Sequence, residues 1–247
     1  MICGYISKEN PFEDRYSWSG LIFKIREAIE NAGYEVKWIP FKDKKGNRIK
    51  DSLLKVLSFP SKTTGHNPWA SKSKAESIDI NLLSQCDFLF IPSGSEIIPY
   101  ITTNLPIIIY GDATYALMDD YYFHGVSRFQ LWLGNWGEKK AIKRANVVCK
   151  ASRWAINSVI NDYGGNPAHS YVLKFGANIE NKDITPIRPW SPKLGGVNFL
   201  FSGVDWIRKG GDIAVQTIEM IRSKGIDAKL LICGIKELPE YYKTKDL

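Results

Sequence analysis

Residues 1–41, MICGYISKENPFEDRYSWSGLIFKIREAIENAGYEVKWIPF, pass from a short apolar run through a glycine-bearing loop to a helical stripe and a second apolar run. Met1 to Ser7 has the composition of a buried strand. Trp18, Leu21, Ile22, Ile25, Ile29 and Ala32 recur at i, i+3, i+4, i+7, i+11 and i+14, which puts one apolar stripe on a helix that stops at Gly33. Glu35 to Phe41 supplies the next strand. Strand, loop, helix and strand in that order open a Rossmann-like parallel sheet, in which crossover helices return the chain to the same edge.

The alternation continues outward. Asp87 to Pro92, Pro106 to Tyr110 and Asn146 to Ala151 are further apolar runs, and Ser170 to Phe175 closes a first domain over residues 1–180. Glu138 to Ala145 is expected to be helical. Ser152 is placed to cap a helix from Arg153 to Tyr163 that Gly164-Gly165 ends. The polar stretch from Lys42 to Ser73 interrupts the rhythm and is expected to carry at most one short helix, around Asp51 to Phe59. Pro186, Pro189 and Pro192 then mark a linker over 181–196. Beyond it, Val197 to Ser202, Asp212 to Ser223 and Lys229 to Cys233 repeat strand, helix and strand. About 50 residues with two strands cannot bury both faces of a parallel sheet. Residues 197–247 are therefore expected to be the start of an incomplete second Rossmann-like domain, or a unit that docks on something else.

Composition sets the class. Of 247 residues, 44% are hydrophobic, enough for a packed core, and the 24% that are charged is an ordinary globular fraction. The excess of 33 Lys and Arg over 26 Asp and Glu, with a pI near 9.1, favours anionic partners. Nucleic acid is not expected, because the basic residues are dispersed; the densest group, Lys42, Lys44, Lys45, Arg48 and Lys50, reads as a solvated loop. Cys3, Cys86, Cys149 and Cys233 form no C-x-x-C pair, and all four are expected to be buried, reduced thiols. The opening residues carry no signal-type leader and no apolar stretch approaches the ~20 residues of a membrane span. The expectation is a cytoplasmic protein, with peripheral contact at the inner face of a membrane left open.

The richest local chemistry lies at residues 201–212, FSGVDWIRKGGD, a strand end, a loop with Arg208 and Lys209, and a Gly-Gly step into a helix. Ligands of parallel sheets bind beyond the carboxyl ends of strands, a helix N-terminus offers unpaired N–H groups, and two cations add opposite charge. A phosphate group suits this place; the alternative is a solvated turn. Dehydrogenase, nucleotide-hydrolysing and hydrolase signatures are absent: no G-x-G-x-x-G after a strand, no G-x-x-x-x-G-K-[ST], no G-x-S-x-G. No spacing fits a zinc site and there is no D-x-D.

The 201–212 segment resembles the start of the C-terminal domain in glycosyltransferase family 4, the retaining enzymes of two Rossmann-like domains known as GT-B. Three further segments are similar in the same order: Asp112-Ala113-Thr114-Tyr115 with Asp120-Tyr121-Tyr122 downstream, Ala145 to Trp154 with Asp162-Tyr163-Gly164, and Phe175-Gly176-Ala177-Asn178. Together they cover most of residues 100 to 235. The resemblance implies that Arg208 and Lys209 contact the diphosphate of a sugar-nucleotide donor while Gly203 lets the backbone approach it. Ser19 and Gly20 stand where relatives carry loop glycines at the donor phosphate, though many relatives have two adjacent glycines; by residue chemistry Gly20 equally suits close helix-sheet packing and Ser19 an N-cap. Asp112 stands where many relatives place a histidine that contacts the transferred sugar, and its other reading is a helix N-cap, as for Thr114. Thr114, Tyr115 and His124, the last within an aromatic stretch, are acceptor-side candidates; His124 also reads as a structural residue.

The implied function is transfer of a hexose from a nucleoside diphosphate sugar to a glycan or lipid-linked acceptor with retained configuration and no metal or other cofactor, by Asp112, Arg208 and Lys209. The resemblance puts the family's later Glu-x7-Glu segment of the donor domain beyond residue 247, so this chain alone is expected to lack independent activity; the alternative is a noncatalytic carbohydrate-binding or assembly module that needs a partner chain.

Overall fold

The computed structural model describes residues 1–42, 48–59, 67–119, 121–179 and 196–243, together with 182 and 185. Most of the expected linker, residues 43–47, His66 and Asp120 lie outside the described residues. The chain divides into two compact units, Met1–Glu180 and Asn181–Leu247.

The first unit contains β1 (Ile2–Ser7), α1 (Leu21–Asn31), β2 (Glu35–Pro40), α2 (Arg48–Leu57), α3 (Pro68–Ala75), α4 (Ile80–Leu83), β3 (Phe88–Pro92), β4 (Ile107–Gly111), α5 (Tyr115–Met118), α6 (Arg128–Arg144), β5 (Val147–Lys150), α7 (Arg153–Asn161) and β6 (Ser170–Val172). Its strands form one parallel sheet in the order β2-β1-β3-β4-β5-β6. This is a Rossmann-like α/β sheet flanked by helices. The chain steps from β1 out to β2 and back past β1 to β3, so β1 and β3 are the switch point beside which such sheets open a crevice.

The strands are buried along most of their length, which is why they read as apolar runs, although the α1 face keeps an open groove of about 510 Å3 over the partly buried Phe88, Ile108 and Val147. Ile6, Leu89, Ile91, Ile107 and Ile109 fill one layer. Cys3, Tyr5, Phe90, Tyr110 and Cys149, on the alternate positions of the same strands, fill the other with Leu21 and Ile22 of α1. At Gly4 the neighbours leave no room for a side chain, since a Cβ there would lie 2.7 Å from Leu89 and 2.8 Å from Ile39.

Several expected boundaries move for identifiable reasons. The helix read from Trp18 begins at Leu21, because Trp18, Ser19 and Gly20 have φ of 50°, 56° and 79°. Trp18 earns its apolar character elsewhere: its ring packs on Tyr110 and Phe175, with centroids 6.2 and 5.4 Å apart. β6 stops at Val172, short of Phe175, which leaves the strand to make that contact. α6 runs for 17 residues against the eight of Glu138 to Ala145, the part ahead of Glu138 carrying Gly134 and Gly137 against the usual helix preference. Among its described residues the polar excursion holds two helices rather than one; the second, α3, is capped by Asn67, whose Oδ1 accepts from Trp69 and Ala70 N–H ahead of Pro68 at N1. The Ser152 cap is present, accepting from Ala155 N at 3.2 Å.

The second unit is β7 (Val197–Ser202), α8 (Gly211–Ser223), β8 (Ala228–Cys233) and α9 (Glu240–Lys243), with β7 and β8 parallel. Phe201, Ala228 and Leu230 pack beneath Val215, Ile218 and Trp206. The opposite sheet face is exposed at Leu200 and Leu231, and with it Cys233. The expectation of four buried thiols is thus corrected: Cys233 ends a strand on its uncovered face, whereas Cys3, Cys86 and Cys149 are buried. Burial pushes the Cys3 thiol up to about 12 and raises those of Cys86 and Cys149, which disfavours the reactive thiolate. A disulfide-exchange reagent is therefore expected to modify Cys233 fast in the native protein and the other three only on unfolding, as counted by mass spectrometry; rapid labelling of Cys3 would contradict the sheet packing.

No helix among the described residues is long and apolar enough to cross a membrane.

Candidate functional site

Because all six strands of the first unit point the same way, their exit loops line one edge, and a cleft runs along it in two adjoining pockets of about 170 and 400 Å3. Ser93, Gly94 and Glu96, which follow β3, border both. The larger pocket lies at the switch point, walled by Ser7, Lys8 and Glu9 after β1 and by Trp18. The smaller lies beyond the carboxyl ends of β4 and β5, walled by Asp112 to Tyr115, Phe123, Glu138 and Lys150. Ser93 takes a φ of 51°, and its N–H donates to the Tyr110 carbonyl at 2.8 Å, fixing the turn out of β3.

At the base of the smaller pocket is an ion pair. Lys150, the last residue of β5, and Glu138 of α6 have side chains only 4% and 5% exposed, with Nζ 3.4 Å from Oε1. The ammonium also donates to the Ala113 carbonyl at 2.7 Å, so it holds the loop that presents Asp112. Gly111 makes room for it, since a Cβ there would approach Nζ to 3.2 Å.

Asp112 is exposed at this loop, and its Oδ1 accepts from Ala113 N–H. It is not a helix N-cap; that position belongs to Thr114, whose side chain makes no capping bond. Thr114 is 1% exposed and its hydroxyl lies 2.6 Å from that of Ser158, which donates to Asp162 at 2.5 Å. Its polar group is committed to α7, so it shapes the pocket without a hydroxyl to offer. Tyr115 presents a wall; its ring lies against Gly134, where a Cβ would come within 2.2 Å, and pairs with Phe123 at 5.0 Å. Burial raises its phenol above the ordinary range, with Asp119 adding to the effect.

His124 is exposed and does not line the cleft; its neighbour Phe123 does. Ser19 is not the cap of α1 and does not line the cleft: it sits in the left-handed region, and its carbonyl accepts from Asn178 Nδ2 at 3.0 Å. Gly20 is the N-cap, and a Cβ there would lie 3.1 Å from the Arg15 carbonyl, so backbone geometry, not helix-sheet packing, calls for glycine.

In the second unit the loop after β7 carries Gly203, Arg208 and Lys209, and Lys209 lies against Gly203. A Cβ on Gly203 would lie 3.0 Å from the Lys209 stem. Asp205 anchors the turn, accepting from Arg208 N–H at 3.1 Å and facing its guanidinium at 3.5 Å. Gly210, at φ 74°, is the N-cap of α8 and brings no side chain to the helix end. Trp206 is buried over Gly211, where a Cβ would lie 2.3 Å from its ring, and seats the loop on the helix.

The two sites differ in charge. The first-unit cleft mixes Glu9, Glu96, Asp112 and Glu138 with Lys8, Lys74 and Lys150 beside hydroxyls and aromatic walls, a lining suited to a neutral polyhydroxylated ligand. The second-unit loop sets two cations ahead of a helix N-terminus and suits an anion. Sequence reasoning missed Lys150, Glu138, Trp18 and the Ser93–Glu96 turn. A signal existed for Lys150, a charge ending the apolar run Val147 to Cys149; Glu138, in Glu-Lys-Lys, has the look of a solvated face. Among the described residues no three His, Cys, Asp or Glu side chains are grouped to hold a metal ion.

No family model matches the chain, and no curated protein sequence matches it. Among solved structures it is similar to the glycosyltransferase SnogD from Streptomyces nogalater, at 11% identity over 97% of this chain and 70% of that one, with a TM-score of 0.43. At that identity and score the likeness bears on neither activity nor substrate.

Proposed function

We propose that the chain provides the acceptor-side domain and the beginning of the donor-side domain of a retaining glycosyltransferase, moving a hexose from a nucleoside diphosphate sugar to a glycan or lipid-linked acceptor. The observation that carries the reading is the second-unit loop, where the Lys209 stem lies against Gly203 and Arg208 stands beside it in the chain, ahead of a helix with no side-chain cap. Arg208 and Lys209 neutralise the diphosphate as it departs, and the α8 N–H groups assist. Asp112 accepts hydrogen bonds from sugar hydroxyls, and Tyr115 and Phe123 give the acceptor an apolar wall. Positioning and electrostatics then supply most of the barrier reduction. A second reading, a noncatalytic carbohydrate-binding module that works with a partner chain, draws on the exposed Leu200 and Leu231 of the small sheet.

Titrating UDP- and GDP-sugars onto this chain and onto the full product of its gene separates the two. Binding and turnover of a sugar nucleotide by either supports the transferase. Carbohydrate binding with no sugar-nucleotide affinity in both would leave the module.

A further inference from the structure

We infer that α6 and the end of α2 form a docking surface for an anionic lipid bilayer. Along α6, Phe129, Trp132, Trp136, Lys139, Lys140 and Lys143 fall within about a third of the helix circumference at 100° per residue. Trp132 is 59% exposed, Lys139, Lys140 and Lys143 are exposed, and Phe129 and Trp136 are half-buried. The rings of Phe129 and Trp132 lie 6.0 Å apart, and the Lys140 ammonium stands 4.0 Å from the Trp136 ring centre. The one carboxylate of this helix, Glu138, is on the other side, buried against Lys150. The outward stripe of α6 therefore carries aromatics and cations and no acid.

A second apolar group lies at the end of α2. Ser58 and Gln130 are both almost fully buried and joined by a hydrogen bond from Gln130 Nε2 to Ser58 Oγ, which ties the end of α2 to the first turn of α6. On either side of Ser58 in sequence, Leu57 and Phe59 are exposed, as are Val56 and, one turn before Leu57, Leu53. Water gains nothing from aliphatic and indole groups grouped in this way, and a patch of them rimmed by charge marks a contact surface.

The chemistry selects the occupant. Exposed Leu and Val offer nothing to a phosphodiester chain, and lysine is depleted at the core of protein interfaces. A bilayer takes both: aliphatic and Phe side chains enter the acyl boundary, indoles sit at headgroup level, and lysines reach anionic headgroups from flexible stems. The surface is independent of sugar transfer, since it makes no use of the cleft or of Arg208 and Lys209.

The test sediments the whole chain with vesicles of phosphatidylcholine alone, or with about one third phosphatidylglycerol, at roughly physiological salt. Binding is expected to the anionic vesicles, falling as salt rises, with tryptophan emission shifted to the blue. Each lysine near such a surface contributes roughly a factor of five, so K139E/K140E/K143E is expected to weaken binding about 100-fold or more while circular dichroism stays unchanged. In the unmodified chain, lipids brominated near the headgroup are expected to quench an emission component that Trp132→Phe removes. Failure to bind anionic vesicles, quenching unaffected by Trp132→Phe, equal binding by the charge-reversed protein, or preference for a single-stranded oligonucleotide would each overturn the assignment.

Discussion

Replacing Lys150 by Ala is expected to destabilise the first unit by about 3–5 kcal/mol, the largest stability effect of any single substitution at the cleft. Lys150 and Glu138 are nearly sealed from water. Two such charges gain little net stability as a pair, because desolvation offsets their attraction; removing one, however, leaves the other buried without its counter-charge. The Ala113 carbonyl loses its donor in the same step, adding roughly 1–3 kcal/mol if it stays dry. Ala also deletes most of the stem that passes Gly111, so a cavity term adds to the electrostatic one. The control is the paired change Lys150→Met with Glu138→Leu, which removes both charges and keeps volume; it is expected to recover most of the loss, leaving mainly the Ala113 carbonyl. Denaturant midpoints for the single and double variants measure this. A single variant within about 1 kcal/mol of the parent would mean that water reaches Glu138.

That pair also marks the limit of what was legible in the sequence. Periodicity exposed the parallel sheet because β1, β3, β4 and β5 are buried along most of their length and so appear as unbroken apolar runs. The same logic found the Ser152 cap and the second unit, whose features are local in the chain. It could not find contacts made by topology: Glu138 and Lys150 are 12 residues apart and meet because α6 packs on β4 and β5 through Ala141 and Ile142. Trp18 misled for a related reason. Its spacing fits the α1 stripe, yet three successive left-handed residues turn its ring onto Tyr110 and Phe175. Among the candidate residues, Asp112 and Tyr115 lie on the cleft, Thr114 forms its wall with a hydroxyl engaged elsewhere, and His124, Ser19 and Gly20 do not line it. A motif fixes a residue's place in the chain; the direction of its side chain depends on neighbours such as Ser158 that no local pattern announces.

In the transferase reading, Arg208→Ala and Lys209→Ala are each expected to lower turnover by about 100-fold or more, the loss typical when a group that meets charge developing in the transition state is removed. Their effect on folding is expected to stay within about 0.5 kcal/mol, since Arg208 and Asp205 are a half-exposed pair 3.5 Å apart and such pairs stabilise little. Loss of rate with preserved stability thus separates this site from the Lys150 pair, where stability goes first. Arg208→Lys refines the assignment. It keeps the charge and loses the planar fork, so an intermediate loss indicates bidentate contact with a diphosphate and near-complete retention indicates charge alone. Gly203→Ala acts indirectly, because its Cβ would lie 3.0 Å from the Lys209 stem; the flexible side chain can yield a few tenths of an ångström, so a smaller loss than that of Lys209→Ala is expected. The measurement is steady-state transfer by whichever form of the protein turns over sugar nucleotide. Unchanged turnover in both alanine variants would remove Arg208 and Lys209 from the mechanism and, with them, the observation on which the transferase reading rests.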